Sequence, residues 1–146
     1  LLMGKWMREA GLAFDQIIAS PAARVTGTIE LAAEGYGKRF DPVWERRVYL
    51  ASCATLQHVV RDCDDVYDHI LLVGHNPGME DLVLDLSPEI ARELDRERQF
   101  EKFPTAAVAR LTLEIEKWAD IKEGCGSLSG FIRPRDLDPS LGPKFD

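Results

Sequence analysis

Two short segments of this 146-residue sequence carry side chains that could do chemistry together, Ser20-Pro21-Ala22-Ala23-Arg24 and Gly74-His75-Asn76-Pro77-Gly78. Each follows an apolar run, Ile17-Ile18-Ala19 in the first case and Ile70-Leu71-Leu72-Val73 in the second. Each then enters a helical pattern through a small polar residue and a proline. Ser and Asn are favoured helix N-caps and Pro is favoured at the first helical position, so both segments read as strand-to-helix junctions with Ser20 and Asn76 as caps. A helix start leaves backbone N–H groups unpaired and presents the positive end of the helix dipole. With Arg24 in one first turn and His75 at the other, the pattern fits a site for a dianionic phosphate. Arg can hold two phosphate oxygens with its planar fork, and His is protonated near neutral pH when an anion sits beside it.

Taken singly, each of these residues has an ordinary use. Ser-Pro at a helix start is a cap, a lone Arg is a surface charge, and a His after an apolar strand serves a core or a cap. The conjunction of two similarly built junctions carries the functional reading. The other histidines do not join it: His58 lies within a helical pattern and His69 precedes a strand beside Asp68, both as solvent-facing or structural residues. No metal-binding His pair at helical spacing, no Gly-x-Ser-x-Gly elbow and no phosphate-binding Gly-Lys-Ser/Thr loop occurs. The sequence implies neither a metal nor another cofactor.

The elements that must position these junctions alternate in type. Apolar spacing predicts a first helix through Leu2, Met3, Trp6, Met7 and Ala10, stopped by Gly11. A buried strand follows over residues 14–19, then a helix to about residue 34, closed by Gly35 and Gly37. Residues 43–49 are expected as a strand and 51–60 as a helix. The clearest strand is 70–73, followed by a helix over 79–86. A charged helix is expected from 89 to about 103, a strand over 107–115, a glycine-punctuated stretch leading to Phe131-Ile132, and a Pro-rich tail over 134–146. This alternation predicts one α/β domain over 1–146, with a largely parallel sheet. Ligands in such sheets bind beyond the carboxyl ends of the strands, where both junctions fall.

Composition bounds the function. Hydrophobic residues make up 45% and charged residues 29%, the balance of a soluble globular domain, and no apolar run approaches the roughly 20 residues of a spanning helix. No secretory signal opens the chain, and three cysteines without paired spacing, Cys53, Cys63 and Cys125, fit reduced thiols in a cytoplasm. A net charge of −7 opposes general nucleic-acid binding, which needs a basic surface, while leaving room for a small cationic pocket. The chain opens at Leu1 directly within the first helical pattern, without a cap or a preceding strand; the expectation is that an N-terminal piece has been lost, cleaved or left out.

With both junctions located, the sequence resembles the SixA-type branch of the histidine phosphatase, or phosphoglycerate mutase-like, superfamily over most of its length. Gly4-Lys5-Trp6-Met7-Arg8-Glu9-Ala10-Gly11-Leu12 is similar to that family's first helix, and Ile18-Ala19-Ser20-Pro21-Ala22-Ala23-Arg24 to its Ser-Pro-x-x-Arg segment, with Thr28 at the place of a usual helical Thr. Val48-Tyr49-Leu50-Ala51 resembles its Leu-Tyr-x-Ala, and Val73-Gly74-His75-Asn76-Pro77-Gly78 is the strongest match. Phe103-Pro104-Thr105-Ala106-Ala107 and Arg133-Pro134-Arg135-Asp136-Leu137 look like its C-terminal hallmarks.

The resemblance implies a three-layer phosphoglycerate mutase-like fold and a metal-independent phosphatase, acting on phosphohistidine in a protein or on a small phosphomonoester through a phosphohistidine intermediate. It assigns His75 and Arg24 as catalytic. It makes Arg24, Ser20, His75 and Asn76 phosphate-binding, Asn76 through its backbone N–H. The family's nucleophile is a His in an Arg-His motif ending the first strand, and no Arg-His pair occurs in this sequence. The nucleophile is therefore expected upstream of Leu1, on a strand, loop and helix start of on the order of 20–30 residues. Val25 and Gly27 also depart from the longer polar residues that relatives often carry. Two other classes stay open: a non-catalytic phosphate- or phosphopeptide-binding module built on the same pocket, and a structural domain whose junctions are only caps.

Overall fold

The computed structural model describes residues 1–89, 107–138 and 140. Its elements run α1 (Leu2–Glu9), β1 (Gln16–Ala19), α2 (Ala23–Tyr36), β2 (Val43–Trp44), a 3₁₀ turn (Arg46–Val48), α3 (Cys53–Arg61), β3 (Ile70–Val73), α4 (Gly78–Leu86), β4 (Val108–Leu113), a second 3₁₀ turn (Trp118–Asp120), β5 (Gly126–Ile132) and α5 (Pro134–Leu137). The helix expected over 89 to about 103 lies almost wholly outside the described residues. Among the described residues, no helix is long and apolar enough to cross a membrane.

β1 is the centre of a parallel sheet in the order β2-β1-β3. Ile17–Ala19 of β1 and all of β3 alternate between two apolar layers, which is why these stretches read as hydrophobic runs. Ile18, Ile70 and Leu72 face one layer with Leu56, Val59 and Val60 of α3 and Leu82 and Leu86 of α4. Ile17, Ala19, Leu71 and Val73 face the other with Val25 and Ile29 of α2 and Phe40. Behind α2 lies α1, at a distance only glycine permits: a Cβ on Gly4 would fall 2.1 Å from the Ala32 carbonyl oxygen, and one on Gly35 would fall 2.0 Å from that of Leu1. Helices therefore flank the sheet on both faces, as the alternation of elements predicts.

Three elements differ from the sequence expectation, one of them the short helix α5 at the start of the expected Pro-rich tail. The strand expected over 43–49 ends at Trp44, because Glu45 accepts the Arg47 backbone N–H at 3.1 Å and turns the chain into a 3₁₀ turn. The glycine-punctuated stretch is strand β5, antiparallel to β4 with a register shift between Arg110 and Leu111. Gly and Ser are poor strand formers, and pairing with β4 overrides that preference. This antiparallel pair forms a second sheet, so among the described residues the parallel part is confined to β1–β3. Leu111 and Leu113 of β4 join the α3/α4 layer.

Register between β1 and β3 is pinned at their entry. The Asp15 carboxylate accepts the backbone N–H groups of Asp68 at 2.9 Å and His69 at 2.8 Å, and the strands then pair from Gln16↔Ile70 to Ala19↔Val73. Those two N–H groups hold the Asp15 carboxyl below its ordinary value of 3.8. A carboxyl depressed in the folded state contributes stability above its unfolded pKa, and that stability is lost as pH falls through the lower folded value. Asp15→Asn is expected to flatten this part of the acid limb: urea midpoints of the protein and the variant, compared from neutral pH downward, should differ most near neutrality and converge as the Asp15 carboxyl becomes protonated in acid.

Candidate active site

Because β1 and β3 are parallel and in register, the chain leaves both at the same level. The residues that follow Ala19 and Val73 emerge side by side. Ser20 extends the ladder by one step, its backbone N–H donating to the Val73 carbonyl at 3.1 Å. That bond keeps Ser20 in the strand and corrects its expected role: the N-cap of α2 is Ala22, whose carbonyl accepts the N–H groups of Val25 and Thr26, both at 3.0 Å. The Ser20 side chain is wholly buried. Its Oγ accepts the Ala22 N–H at 3.3 Å and shares a hydrogen bond of 2.8 Å with His75 Nε2.

His75 follows Gly74 in the turn out of β3. Its carbonyl accepts the Met79 N–H at 3.0 Å, which closes the turn, and α4 begins at Gly78. Here too the expected cap is corrected. The N-cap is Pro77, with no side-chain cap, because the helical bond series starts from the Pro77 carbonyl, which accepts the Asp81 N–H at 2.9 Å. Asn76 stands exposed in the turn instead. A residue not singled out by type or spacing completes the surroundings: the Tyr49 ring meets the His75 ring edge to face, with centroids 5.5 Å apart and an interplanar angle of 83°. Its only sequence signal was the Val48-Tyr49-Leu50-Ala51 resemblance.

Arg24 is the second residue of α2 and is exposed. The first turn of α2 contains no acidic residue, and among the described residues the Arg24 guanidinium has no hydrogen-bond or ion-pair partner. A cation at the positive end of a helix opposes the dipole, an effect typically of 0.3–1 kcal/mol at an exposed site. An anion placed there would reverse the sign. The structure thus brings Ser20 and His75 into direct contact and leaves Arg24 at the start of the helix that follows Ser20, free to turn toward a ligand. Thr28 is directed back along α2, its hydroxyl donating to the Arg24 carbonyl at 2.9 Å. An added Cβ on Gly27 would meet nothing within 4 Å.

The Ser20–His75 pair resembles half of a serine-nucleophile dyad in composition only. A hydroxyl with no accessible surface cannot attack a substrate, so its chemistry here is to orient the imidazole. His58 and His69 are both exposed and contribute no side chain to this corner. Among the described residues no group of three or more His, Cys, Asp or Glu side chains is arranged to hold a metal ion.

Comparisons with known proteins follow the same line. No protein-family model matches the chain. The sequence is 31% identical, over 135 residues, to the uncharacterized proteins MT1313 and Rv1276c of two Mycobacterium tuberculosis strains, covering 92% of this chain and 82% of theirs. Among solved structures, the SixA of Agrobacterium tumefaciens superposes with a TM-score of 0.70 at 23% identity, over 91% of this chain and 76% of that one. The protein histidine phosphatase SixA in complex with tungstate gives 0.70 at 18% identity, over 94% and 80%. The fold is thus the α/β fold of the SixA proteins.

Replacing the buried hydroxyl tests the orienting role of Ser20. Ser20→Ala is expected to destabilise the protein by about 1 kcal/mol, the usual net cost of one hydrogen bond, and to release the His75 ring. Denaturant unfolding reads the first effect. Imidazole ¹⁵N shifts read the second, moving from a single tautomer toward the free mixture.

Proposed function

The chain belongs to the family of the M. tuberculosis proteins MT1313 and Rv1276c, and from the SixA fold and the two junctions that carry Arg24 and His75 we propose that it is a metal-independent phosphatase. Its substrate is a phosphohistidine on a protein or a small phosphomonoester. The observation that carries this reading is the contact of His75 with the buried Ser20, from which the chain runs directly into the helix start that bears the unneutralised Arg24. The guanidinium would hold two phosphoryl oxygens, and the α2 N-terminus and the Asn76 backbone N–H would add donors. His75 would supply a further charge-assisted donor, with its orientation already fixed, so little reorganisation is needed as charge develops. Ser20 acts from within the wall of the pocket.

In this reading the reaction runs in two displacements. A histidine nitrogen of the enzyme attacks phosphorus, the bond from phosphorus to the substrate's oxygen or nitrogen breaks, and the leaving group takes up a proton. Water then attacks the phosphohistidine, the N–P bond breaks, and inorganic phosphate departs.

We place the nucleophile on a strand outside residues 1–146, upstream of Leu1. No Arg-His pair exists within them, and His75 Nε2 is already engaged by Ser20. The sheet supports a place for that strand. Among the described residues β3 is paired only with β1, its four residues are all partly exposed, and β4 is paired only with β5. A strand along the open side of β3 would end beside His75. Without it, residues 1–146 bind phosphate and do not turn over; in this respect they would behave as the non-catalytic binding module.

With the upstream strand present, His75→Ala and Arg24→Ala are each expected to lower kcat about 10²–10³-fold, and His58→Ala and His69→Ala to leave it unchanged. Chelator should have no effect. Equal losses at all three histidines would refute the assignment of His75, and activity abolished by chelator and restored by a divalent cation would refute the metal-independent route.

A further inference from the structure

We propose that Tyr49 is a positioning residue for His75, and that the Val48–Ala51 turn exists to hold its ring against the imidazole. The inference rests on the phosphatase reading for its purpose, but its geometry stands independently. Tyr49 is 56% exposed, so burial of apolar surface does not explain where its ring lies. The ring instead meets His75 edge to face at 5.5 Å, opposite in kind to the hydroxyl that Ser20 presents to Nε2. One contact fixes the ring through a hydrogen bond and the other through its aromatic surface. Together they leave the imidazole little freedom to rotate about its side-chain bonds.

The turn carrying Tyr49 is fitted to the turn carrying His75 at two further points. Val48 is wholly buried, and a Cβ on Gly74 would fall 2.9 Å from its Cγ1. A Cβ on Gly78 would fall 2.0 Å from the Ala51 carbonyl oxygen. The segments 48–51 and 74–78 therefore approach as closely as glycine allows, one residue before His75 and three residues after it. Leu50 completes the turn at a φ of 47°, in the left-handed region that is unfavourable for a non-glycine residue, while its side chain is 66% exposed. A leucine held in that conformation with little burial in return points to a constraint on the backbone around it.

The far end of the turn is anchored by charge. Arg47 Nη1 lies 2.6 Å from Asp62 Oδ2, just past α3, and Arg47 Nε lies 3.1 Å from Glu45 Oε1. This bridge ties the turn to the end of α3, and it is remote from the phosphate corner in sequence and in chemistry.

The contact that fixes His75 is made by the aromatic ring of Tyr49. The ring performs this task and the phenolic hydroxyl does not: among the described residues the hydroxyl has no hydrogen-bond partner.

The test uses the full chain, with His75 imidazole ¹⁵N shifts followed against pH in the absence of ligand and the affinity for inorganic phosphate measured by calorimetry. Tyr49→Phe should match the parent in both. Tyr49→Ala should move the His75 shifts toward those of a freely rotating imidazole and weaken phosphate binding about tenfold, while the backbone amide spectrum elsewhere is retained. Should Tyr49→Ala fail to fold, Tyr49→Leu keeps the bulk without the aromatic ring and is expected to show the same changes. Unchanged His75 shifts in the folded variant would overturn the proposal, whatever happens to phosphate. Altered His75 shifts in a protein that binds no phosphate would uphold the role of Tyr49 and refute the phosphatase reading beneath it.

Discussion

The parallel, in-register pairing of β1 with β3 is the constraint on which the rest of the structure depends. Parallel strands that end at the same level deliver their next residues to one edge, and here those residues are Ser20 and Gly74-His75. The 2.8 Å contact between Ser20 and His75 is a direct consequence. A slip of one residue would exchange the two faces of β3, sending Leu71 and Val73 into the wrong layer and carrying His75 away from Ser20. Two devices oppose the slip: the Asp15 carboxylate at the entry of the strands, and the division of both strands between two apolar layers.

Around that edge the protein accepts local costs that make sense together. A cation stands at the start of α2 without an acidic neighbour, a leucine sits in the left-handed region, and an aromatic ring remains half exposed against a histidine. Each is mildly unfavourable in isolation, by amounts on the order of 1 kcal/mol. Such costs persist where the surroundings impose them, and two of them, at Tyr49 and Leu50, lie in the turn that packs against the His75 turn.

Much of this was legible in the sequence because the relevant signals are local. Ile70-Leu71-Leu72-Val73 is apolar throughout because both faces of β3 are covered, and β1 reads the same way. The convergence of the two junctions followed from topology: consecutive parallel strands of one sheet share a carboxyl edge. The caps were misread because composition cannot show which backbone bond claims a residue. Ser20 has the chemistry of a cap, yet the Val73 carbonyl takes its N–H, and Asn76 yields to a helical series starting at Pro77. β5 was hidden because its glycines and serines carry no strand signal without β4 beside them. Tyr49 was hidden for a related reason. It lies in a turn with no periodicity, and its meaning comes entirely from a neighbour 26 positions away in the numbering, which only the fold brings to it.

The most direct test of the account is a crystal structure of the intact chain with tungstate, a phosphate-shaped anion that diffracts strongly. The account predicts a single oxyanion at the carboxyl edge of β1 and β3, with its oxygens about 2.7–3.2 Å from both the Arg24 guanidinium and the His75 ring, and with the Tyr49 edge contact preserved. Tungstate bound elsewhere, with Arg24 still directed to solvent and His75 touching only Ser20, would contradict it.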